Sequence, residues 1–217
     1  MAGVYERLVF PWLNDKLAGG QEVAELRSEA LRDASGMVIE IGFGSGANLE
    51  HYPPAVESIV AIDPNPGMHD RAASRVRASR IPVTLLVGRA ETLPVPDATL
   101  DTAVSTLTLC SVADPPRVLS ELSRVLNDRG RLIVMEHGRA DDSSVSRWQD
   151  RLNGIQKVVA CGCHLNRPIQ QLVEAAGFRF GSVRKFYLPK APRTHAWFTI
   201  GTASKIQPRR YPESKAH

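Results

Sequence analysis

Cysteine is scarce in this 217-residue chain, which has only Cys110, Cys161 and Cys163. Three cysteines are too few, and too odd in number, for a disulfide framework. Long apolar runs are also missing, because none approaches the roughly 20 residues that cross a bilayer. The N-terminus contains Glu6 and Arg7 and lacks the plan of a secretory signal. We therefore expect a cytoplasmic protein without stable membrane insertion, although peripheral membrane contact stays open.

A strong excess of one charge sign is absent from the body of the chain. The net charge is +4, but the last 13 residues hold four basic residues and one acidic residue, which leaves +1 for residues 1–204. A nearly neutral body gives no broad basic surface for nucleic acid. We expect one domain over residues 1–204 and a flexible tail over residues 205–217.

Short β-branched runs alternate with helical patterns, which predicts an α/β fold whose mostly parallel sheet is covered by helices on both faces. Helices are predicted at Gln21–Arg32, Gly67–Ser79, Pro116–Leu126, Ser146–Val159 and Pro168–Ala176. Five strands and a closing hairpin suggest seven strands, at Met37–Ile41, Ser58–Ile62, Val83–Val87, Thr102–Ser105, Arg131–Glu136, Phe178–Tyr187 and His195–Ala203.

The first 17 residues place Val4, Leu8 and Trp12 on one helical face, although Pro11 argues against one unbroken helix. This segment has three interpretations: a helix packed on the core, a lid over a ligand, or a contact with a membrane surface. Trp12 is accordingly a candidate for the substrate side of a cleft.

A glycine turn follows the first predicted strand. Gly42, Gly44 and Ala47 satisfy the pattern G-x-G-x-x-G/A, and Asp63 ends the next strand. The glycines allow a sharp turn and close approach of a ligand, while an acid accepts hydrogen bonds from ribose hydroxyls. A dinucleotide site would show the same features.

Glu40, two residues before that turn, separates the possible ligands. A carboxylate there repels a pyrophosphate but attracts a ligand that carries an ammonium group. S-adenosylmethionine fits, because it combines an adenosine, a positive amine and a sulfonium without phosphate. The alternative is a solvated or helix-capping carboxylate.

Two later segments follow strands and face the same edge of the sheet. "GRAETLP", Gly88–Pro94, would face the adenine, and "STLTLCSVADP", Ser105–Pro115, places Thr106 near the ligand. Leu107 and Leu109 are either cleft lining or core.

Together, E-x-G-x-G-x-G, "DPNP", "GRAETLP" and "RVLNDRGRLIVMEH" resemble class I S-adenosylmethionine-dependent methyltransferases across residues 35–204. The resemblance implies a Rossmann-like, doubly wound sheet of seven strands with an antiparallel C-terminal strand. Many relatives have Asp or Asn where Arg89 stands, so we expect the backbone of Ala90 to meet the adenine amine. The resemblance implies that the cofactor is held by Glu40, Gly42, Gly44, Gly46, Asn48, Asp63, Pro64, Asn65, Met68, Arg89, Ala90, Glu91 and Thr106.

"GFGSGANLEHYPP", "STLTLCSV", "EH" and "GCHLNR" are similar to the membrane-associated alkyl thiol S-methyltransferases. This similarity implies a small thiol or sulfide as methyl acceptor. The hydrophobic N-terminal anchor of those proteins is absent from this sequence, so membrane residence is not expected.

His137, at the end of the fifth predicted strand, is the first candidate to accept a proton or orient the acceptor. His164 is a second catalytic candidate, and Arg167 and Trp148 are candidates for the substrate side. Loop scaffolding and packing are the alternatives for all four. "CGCH" at 161–164 looks like half of a metal site, but no second close Cys/His cluster supplies the other ligands, so we predict no metal.

Several rival functions stay open. A quinone precursor, a phenol or a phospholipid amine could replace the thiol as acceptor. A nucleic-acid base enzyme would carry Asn/Asp-Pro-Pro-aromatic where Ser105-Thr106-Leu107-Thr108 stands. The glycines alone would permit a nicotinamide-dependent oxidoreductase, which Glu40 argues against. A protein that binds S-adenosylmethionine without turnover is the remaining alternative.

Overall fold

A computed structural model describes residues 20–206. The predictions for the first 17 residues, including Trp12, and for nearly all of the tail lie outside this range. Within it, no helix combines the length and the apolar composition that crossing a membrane requires. The helices are α1 (Gln21–Leu31), α2 (Pro66–Ala78), α3 (Pro115–Val125), α4 (Ser143–Val159) and α5 (Ile169–Ala175), with a short 3-10 helix at Leu49–His51.

Seven strands form one sheet in the order β3-β2-β1-β4-β5-β7-β6. The pairs within β3-β2-β1-β4-β5 are parallel, whereas β7 is antiparallel to both of its neighbours. The predicted fold class is therefore confirmed, including the closing hairpin. The strands are β1 (Gly36–Ile41), β2 (Val56–Asp63), β3 (Val83–Val87), β4 (Leu100–Thr106), β5 (Leu126–His137), β6 (Phe178–Tyr187) and β7 (Trp197–Lys205).

The sheet separates two apolar layers, because successive side chains of a strand point to opposite faces. In β1, Val38 joins the layer that contains Leu26 and Leu31 of α1. Its neighbour Ile39 joins the layer that contains Leu119 of α3. Burial on both faces explains why the central strands read as continuous apolar runs.

Local signals in the sequence set most element ends. Asp114 caps α3 by accepting a hydrogen bond from the Arg117 N–H, and Gly177 adopts a φ of 84° just beyond α5. The prediction for β5 was too short, since the strand begins at Leu126, directly after α3, and not at Arg131. Leu126 already pairs with Leu100, and an irregularity at "NDRG" separates it from the regular ladder.

The order of the strands reverses around β1, which lies between β2 and β4. Such a switch point opens a crevice at the carboxyl ends of the strands, where ligands bind in open α/β sheets. The glycine turn follows β1 at this edge, and the segments after β2, β4 and β5 begin there too.

Candidate active site

The glycine turn is fixed by its backbone. The Gly42 N–H donates to the Ile62 carbonyl over 2.8 Å, and Gly42, Gly44 and Gly46 have φ values of 64°, 58° and 77°. A Cβ atom at Gly42 would lie 2.1 Å from the Thr108 Oγ1. Position 42 therefore requires glycine both for its left-handed conformation and for lack of space.

Asp63 connects the turn to the end of β2. Its Oδ2 accepts from the Gly44 N–H over 2.9 Å, and its Oδ1 accepts from the Asn65 N–H over 2.8 Å. Burial raises the pKa of Asp63, while these two N–H groups oppose the increase. Each oxygen keeps a lone pair, so the carboxylate still has the capacity to accept a ribose hydroxyl. Asn65 also caps α2, because its Oδ1 accepts from the Gly67 N–H.

Glu40 belongs to a buried polar group that we call the Glu40 cluster: Arg27, Glu40, Asn48, Tyr52 and Thr106. The carboxylate of Glu40 accepts from the Asn48 Nδ2 over 2.9 Å and from the Tyr52 hydroxyl over 2.7 Å. Asn48 also donates to the Thr106 Oγ1 over 2.9 Å and accepts from the Arg27 Nη1 over 2.6 Å. The structure thus brings three predicted cofactor residues, on β1, after the turn and on β4, into one network.

Glu40 is only 1% exposed. This burial raises the pKa of Glu40 to about 7, against the opposing effects of Tyr52, Arg27 and Asn48. Arg27 and Tyr52 were not predicted from the sequence as part of this site. Arg27 was visible as a charge on the otherwise apolar face of α1, next to Leu26 and Ala30.

A second buried acid, Glu136, lies near the end of β5. Its Oε1 accepts from the Ser105 hydroxyl over 2.7 Å and from the backbone N–H groups of Thr108 and Leu109 over 2.8 and 2.9 Å. Its Oε2 accepts from the Cys110 N–H over 3.3 Å. Glu136 therefore fixes the loop after β4. The signal that singled out Glu40, an acid inside a buried apolar strand, applies equally here but was not used.

His137 contacts a cysteine in this structure. Its Nε2 lies 2.9 Å from the Cys163 Sγ, and Cys110 completes a group whose ligand atoms all lie within 4.8 Å of one another. The hydrogen bond to Cys110, with burial, raises the pKa of the Cys163 thiol far above its usual range. We call these three residues the Cys110–His137–Cys163 cluster.

Arg167 and His164 also hold the loop after β4. The guanidinium of Arg167 donates to the carbonyls of Leu109 and Val112, the latter over 2.7 Å. The backbone N–H of His164 donates to the Cys110 carbonyl over 2.8 Å. Both residues support the loop, as the scaffolding alternative predicts, and their roles toward a substrate stay predictions.

The segment after β3 makes a further loop contact. Arg89 is exposed and its Nη2 lies 3.5 Å from the Glu91 Oε1, which also accepts from the Ala113 N–H over 3.0 Å. Trp148 is 56% exposed on α4 and lies beneath the guanidinium of Arg151. Ligand contacts stay predictions for every residue of the two predicted sets, including Pro64, Met68, Ala90 and Trp148.

Comparison with known proteins places this geometry in a family. The protein-family model described as a methyltransferase domain matches residues 39–134 of this chain. Thiol S-methyltransferase TMT1B of Mus musculus is 32% identical over 177 residues, which cover 79% of this chain and 70% of the mouse protein. Thiol S-methyltransferase TMT1A of Homo sapiens is 34% identical over 145 residues, which cover 65% of this chain and 59% of the human protein.

A solved structure from Thermotoga maritima supports the fold. It is described as a SAM-dependent methyltransferase, possibly a histamine N-methyltransferase, and matches with a TM-score of 0.67. The match covers 94% of this chain and 98% of that one, at 24% sequence identity. At this identity the likeness concerns the fold alone.

The described residues fit S-adenosylmethionine. Thr108 leaves no room for a side chain at Gly42, and Asp63 keeps free acceptor capacity. The buried acid Glu40 lies two residues before the turn. On this geometry and these relatives, the chain belongs to the S-adenosylmethionine-dependent methyltransferases, in the group that includes the alkyl thiol S-methyltransferases.

Proposed function

We propose that this protein transfers the methyl group of S-adenosylmethionine to the sulfur of a small thiol or of sulfide. The observation that carries the proposal is the combination of Glu40, the glycine turn and Asp63 at the switch point of the sheet. The relatives named as thiol S-methyltransferases support the choice of acceptor. We also propose a cytoplasmic location, since none of the three cysteines forms a disulfide.

Within this proposal, Asp63 accepts the ribose hydroxyls and the glycine turn receives the amino-acid end of the cofactor. Glu40 is almost fully buried, so it acts on the positive amine through its charge and not through an exposed contact. A cation near the turn favours the ionised form of Glu40, and Arg27 already contributes in the same direction. Cofactor binding should therefore release a proton from Glu40 near neutral pH.

The bound cofactor supplies an electrophilic methyl group, so the protein must mainly hold the acceptor in line and exclude water. A thiol with a pKa of about 8.5 is already partly ionised near neutral pH, which leaves only a modest need for a base. His137 and His164 are the proposed groups on the acceptor side. Arg167 adds a positive charge there, which favours an anionic sulfur.

Calorimetric titration of the purified chain with S-adenosylmethionine tests the cofactor site. We expect Glu40→Ala and Asp63→Ala each to weaken binding by more than about tenfold. Asp63→Ala removes a charged acceptor worth roughly 1.5 to 3 kcal/mol, and Glu40→Ala removes the buried charge that attracts the amine. Glu50→Ala is the matched control, because Glu50 is an exposed acid near the same turn. Unchanged affinity in both variants would remove the cofactor assignment.

The pH dependence of the same titration tests the role of Glu40. Wild-type affinity should fall as the pH drops below about 7, because Glu40 then takes up a proton and loses its charge. Glu40→Gln carries no charge at any pH and should lack this fall. An equal fall in both proteins would show that another group titrates.

Methyl transfer is tested with an isotopically labelled donor and separate acceptors: sulfide, an alkyl thiol, a quinol, a phenol and a phospholipid amine. Mass spectrometry should find the label on sulfur, with Asp63→Ala as a cofactor-binding control. Label on a quinol, phenol or amine and none on sulfur would overturn the acceptor. Tight cofactor binding without any methylated product would favour the non-catalytic alternative.

A further inference from the structure

The Cys110–His137–Cys163 cluster joins three separate parts of the chain. Cys110 lies in the loop after β4, His137 ends β5, and Cys163 lies in the loop after α4. Their ligand atoms all lie within 4.8 Å of one another, and no other set of three or more possible metal ligands is this close anywhere in residues 20–206. Both cysteines are buried, and neither forms a disulfide.

We propose that Cys110, His137 and Cys163 bind a Zn²⁺ ion. Zinc takes thiolate and imidazole ligands at about 2.3 and 2.0 Å, which places tetrahedral ligand atoms roughly 3.5 to 3.8 Å apart. The observed separations need only small side-chain movements to reach that arrangement. The proposal is tested by metal binding alone, so its failure would leave the proposed function standing. Bound zinc would make His137 a ligand in place of its proposed role toward the acceptor.

The charge of the site also suits zinc. Two thiolates and a neutral imidazole balance a divalent cation, so the buried site carries no net charge when the metal is bound. Arg167 lies close enough to both sulfurs to interact with them electrostatically. Sulfur and imidazole together favour zinc over magnesium or calcium, which take oxygen ligands.

The loop that carries Cys110 is held firmly by its surroundings. Glu136 accepts the Cys110 N–H, the His164 N–H donates to the Cys110 carbonyl, and Arg167 donates to neighbouring carbonyls. Leu107 begins this loop with a φ of 54°, a strained value for leucine. Ligands on such a fixed frame lose little conformational entropy when a metal binds.

Three protein ligands leave one position of a tetrahedral zinc ion unfilled. Glu136 is the nearest acid along the chain, but its two oxygens accept backbone and hydroxyl groups. Closed structural sites have four protein ligands, whereas three ligands with an exchangeable fourth are typical of reactive zinc. The fourth position would then take water.

The sequence pattern did not indicate this cluster, because only ligands close along the chain were considered. It paired Cys161 with Cys163 and His164, but the three-dimensional cluster takes only Cys163 from that motif. The other two ligands are 53 and 26 residues away along the sequence, in the loop after β4 and at the end of β5.

Metal content provides the test. The full chain is purified without chelator, its affinity tag is removed, and zinc is titrated against a chromogenic competitor. We expect close to one Zn²⁺ per chain with a dissociation constant below about 1 μM. Cys110→Ser, Cys163→Ser and His137→Gln should each weaken binding at least about tenfold, and Cys161→Ser, the matched cysteine control, should not.

Cobalt gives a second readout that does not depend on turnover. Co²⁺ in this site should show the visible bands of tetrahedral coordination and a thiolate charge-transfer band that Cys163→Ser removes. Thermal unfolding identifies variants that fail to fold. If a cysteine variant fails to fold, zinc binding by His137→Gln is the test that remains. No bound zinc in wild type, equal loss in Cys161→Ser, or a Cys110–Cys163 disulfide formed in place of metal binding would overturn the proposal.

Discussion

Two buried carboxylates at the carboxyl edge of the sheet are bonded in different ways. Glu40 on β1 accepts hydrogen bonds from the side chains of Asn48 and Tyr52. Glu136 on β5 accepts three backbone N–H groups and the hydroxyl of Ser105. Glu136 therefore fixes the shape of the loop after β4, whereas the charge of Glu40, which is bonded to side chains, stays open to titration and to a ligand.

The largest effect is expected from Glu136→Gln. The new amide group would place its own N–H against backbone donors and leave at least one buried N–H without an acceptor, so we expect a loss of about 3 to 5 kcal/mol in the free energy of unfolding. Urea denaturation followed by circular dichroism measures it. Glu50→Gln, at an exposed acid, should change stability by less than about 0.5 kcal/mol. Similar effects of the two substitutions would break the comparison.

Glu40→Gln should increase the free energy of unfolding, and only at higher pH. The pKa of folded Glu40 is about 7 against an ordinary 4.5, so the folded state holds its proton more tightly than the unfolded state. Stability from Glu40 is therefore full below its ordinary pKa and is lost as the pH rises through 7. The variant avoids this loss, so its advantage in unfolding free energy should grow by about 3 kcal/mol over that interval.

Denaturant unfolding of wild type and Glu40→Gln at matched pH values measures this growth. A difference that stays constant from acid to alkaline pH would show that Glu40 keeps its charge throughout. The same variant is expected to lose affinity for S-adenosylmethionine, so greater stability and weaker binding should occur together. That pairing is the mark of an acid retained for a ligand and not for the fold.

The smallest effects on stability are expected from the loss of two hydroxyl donors, which each donate a 2.7 Å hydrogen bond to one of the buried acids. Tyr52→Phe removes a donor to Glu40, and Ser105→Ala removes one to Glu136. We expect Tyr52→Phe to cost about 1.5 to 3 kcal/mol where Glu40 is ionised and less where it is protonated, while Ser105→Ala costs about 1 kcal/mol. Denaturation at two pH values measures how the Tyr52→Phe cost depends on pH. A Tyr52→Phe cost that is the same at both pH values would contradict the titration of Glu40.

Much of the fold was predictable because its signals are local. Glycine at position 177, the cap at Asp114 and the apolar runs of the central strands each depend on neighbouring residues. The beginning of β5 was predicted wrongly because pairing of Leu126 with Leu100 depends on another strand. Propensity along the chain contains no information on such a partner.

The residues of the candidate site also divide into those that were predicted from the sequence and those that were missed. Glu40, the glycine turn and Asp63 were found from spacing, because a strand, a turn and the next strand end follow one another in sequence. Arg27 and Glu136 were missed, although each is a charge inside an apolar pattern. A charge on an apolar face indicates a buried polar contact, but the pattern does not identify the group it contacts.

By itself, the sequence determined the α/β class, the position of the switch-point turn and the class of cofactor, since these depend on residue types at fixed separations. Only the tertiary structure decided which distant groups meet: Arg27 with Asn48 beside Glu40, and Cys110 with His137 and Cys163. The physical reason is that hydrogen bonds and metal ligation act over a few ångströms in space. Parallel strands bring residues to that range from widely separated positions in the chain.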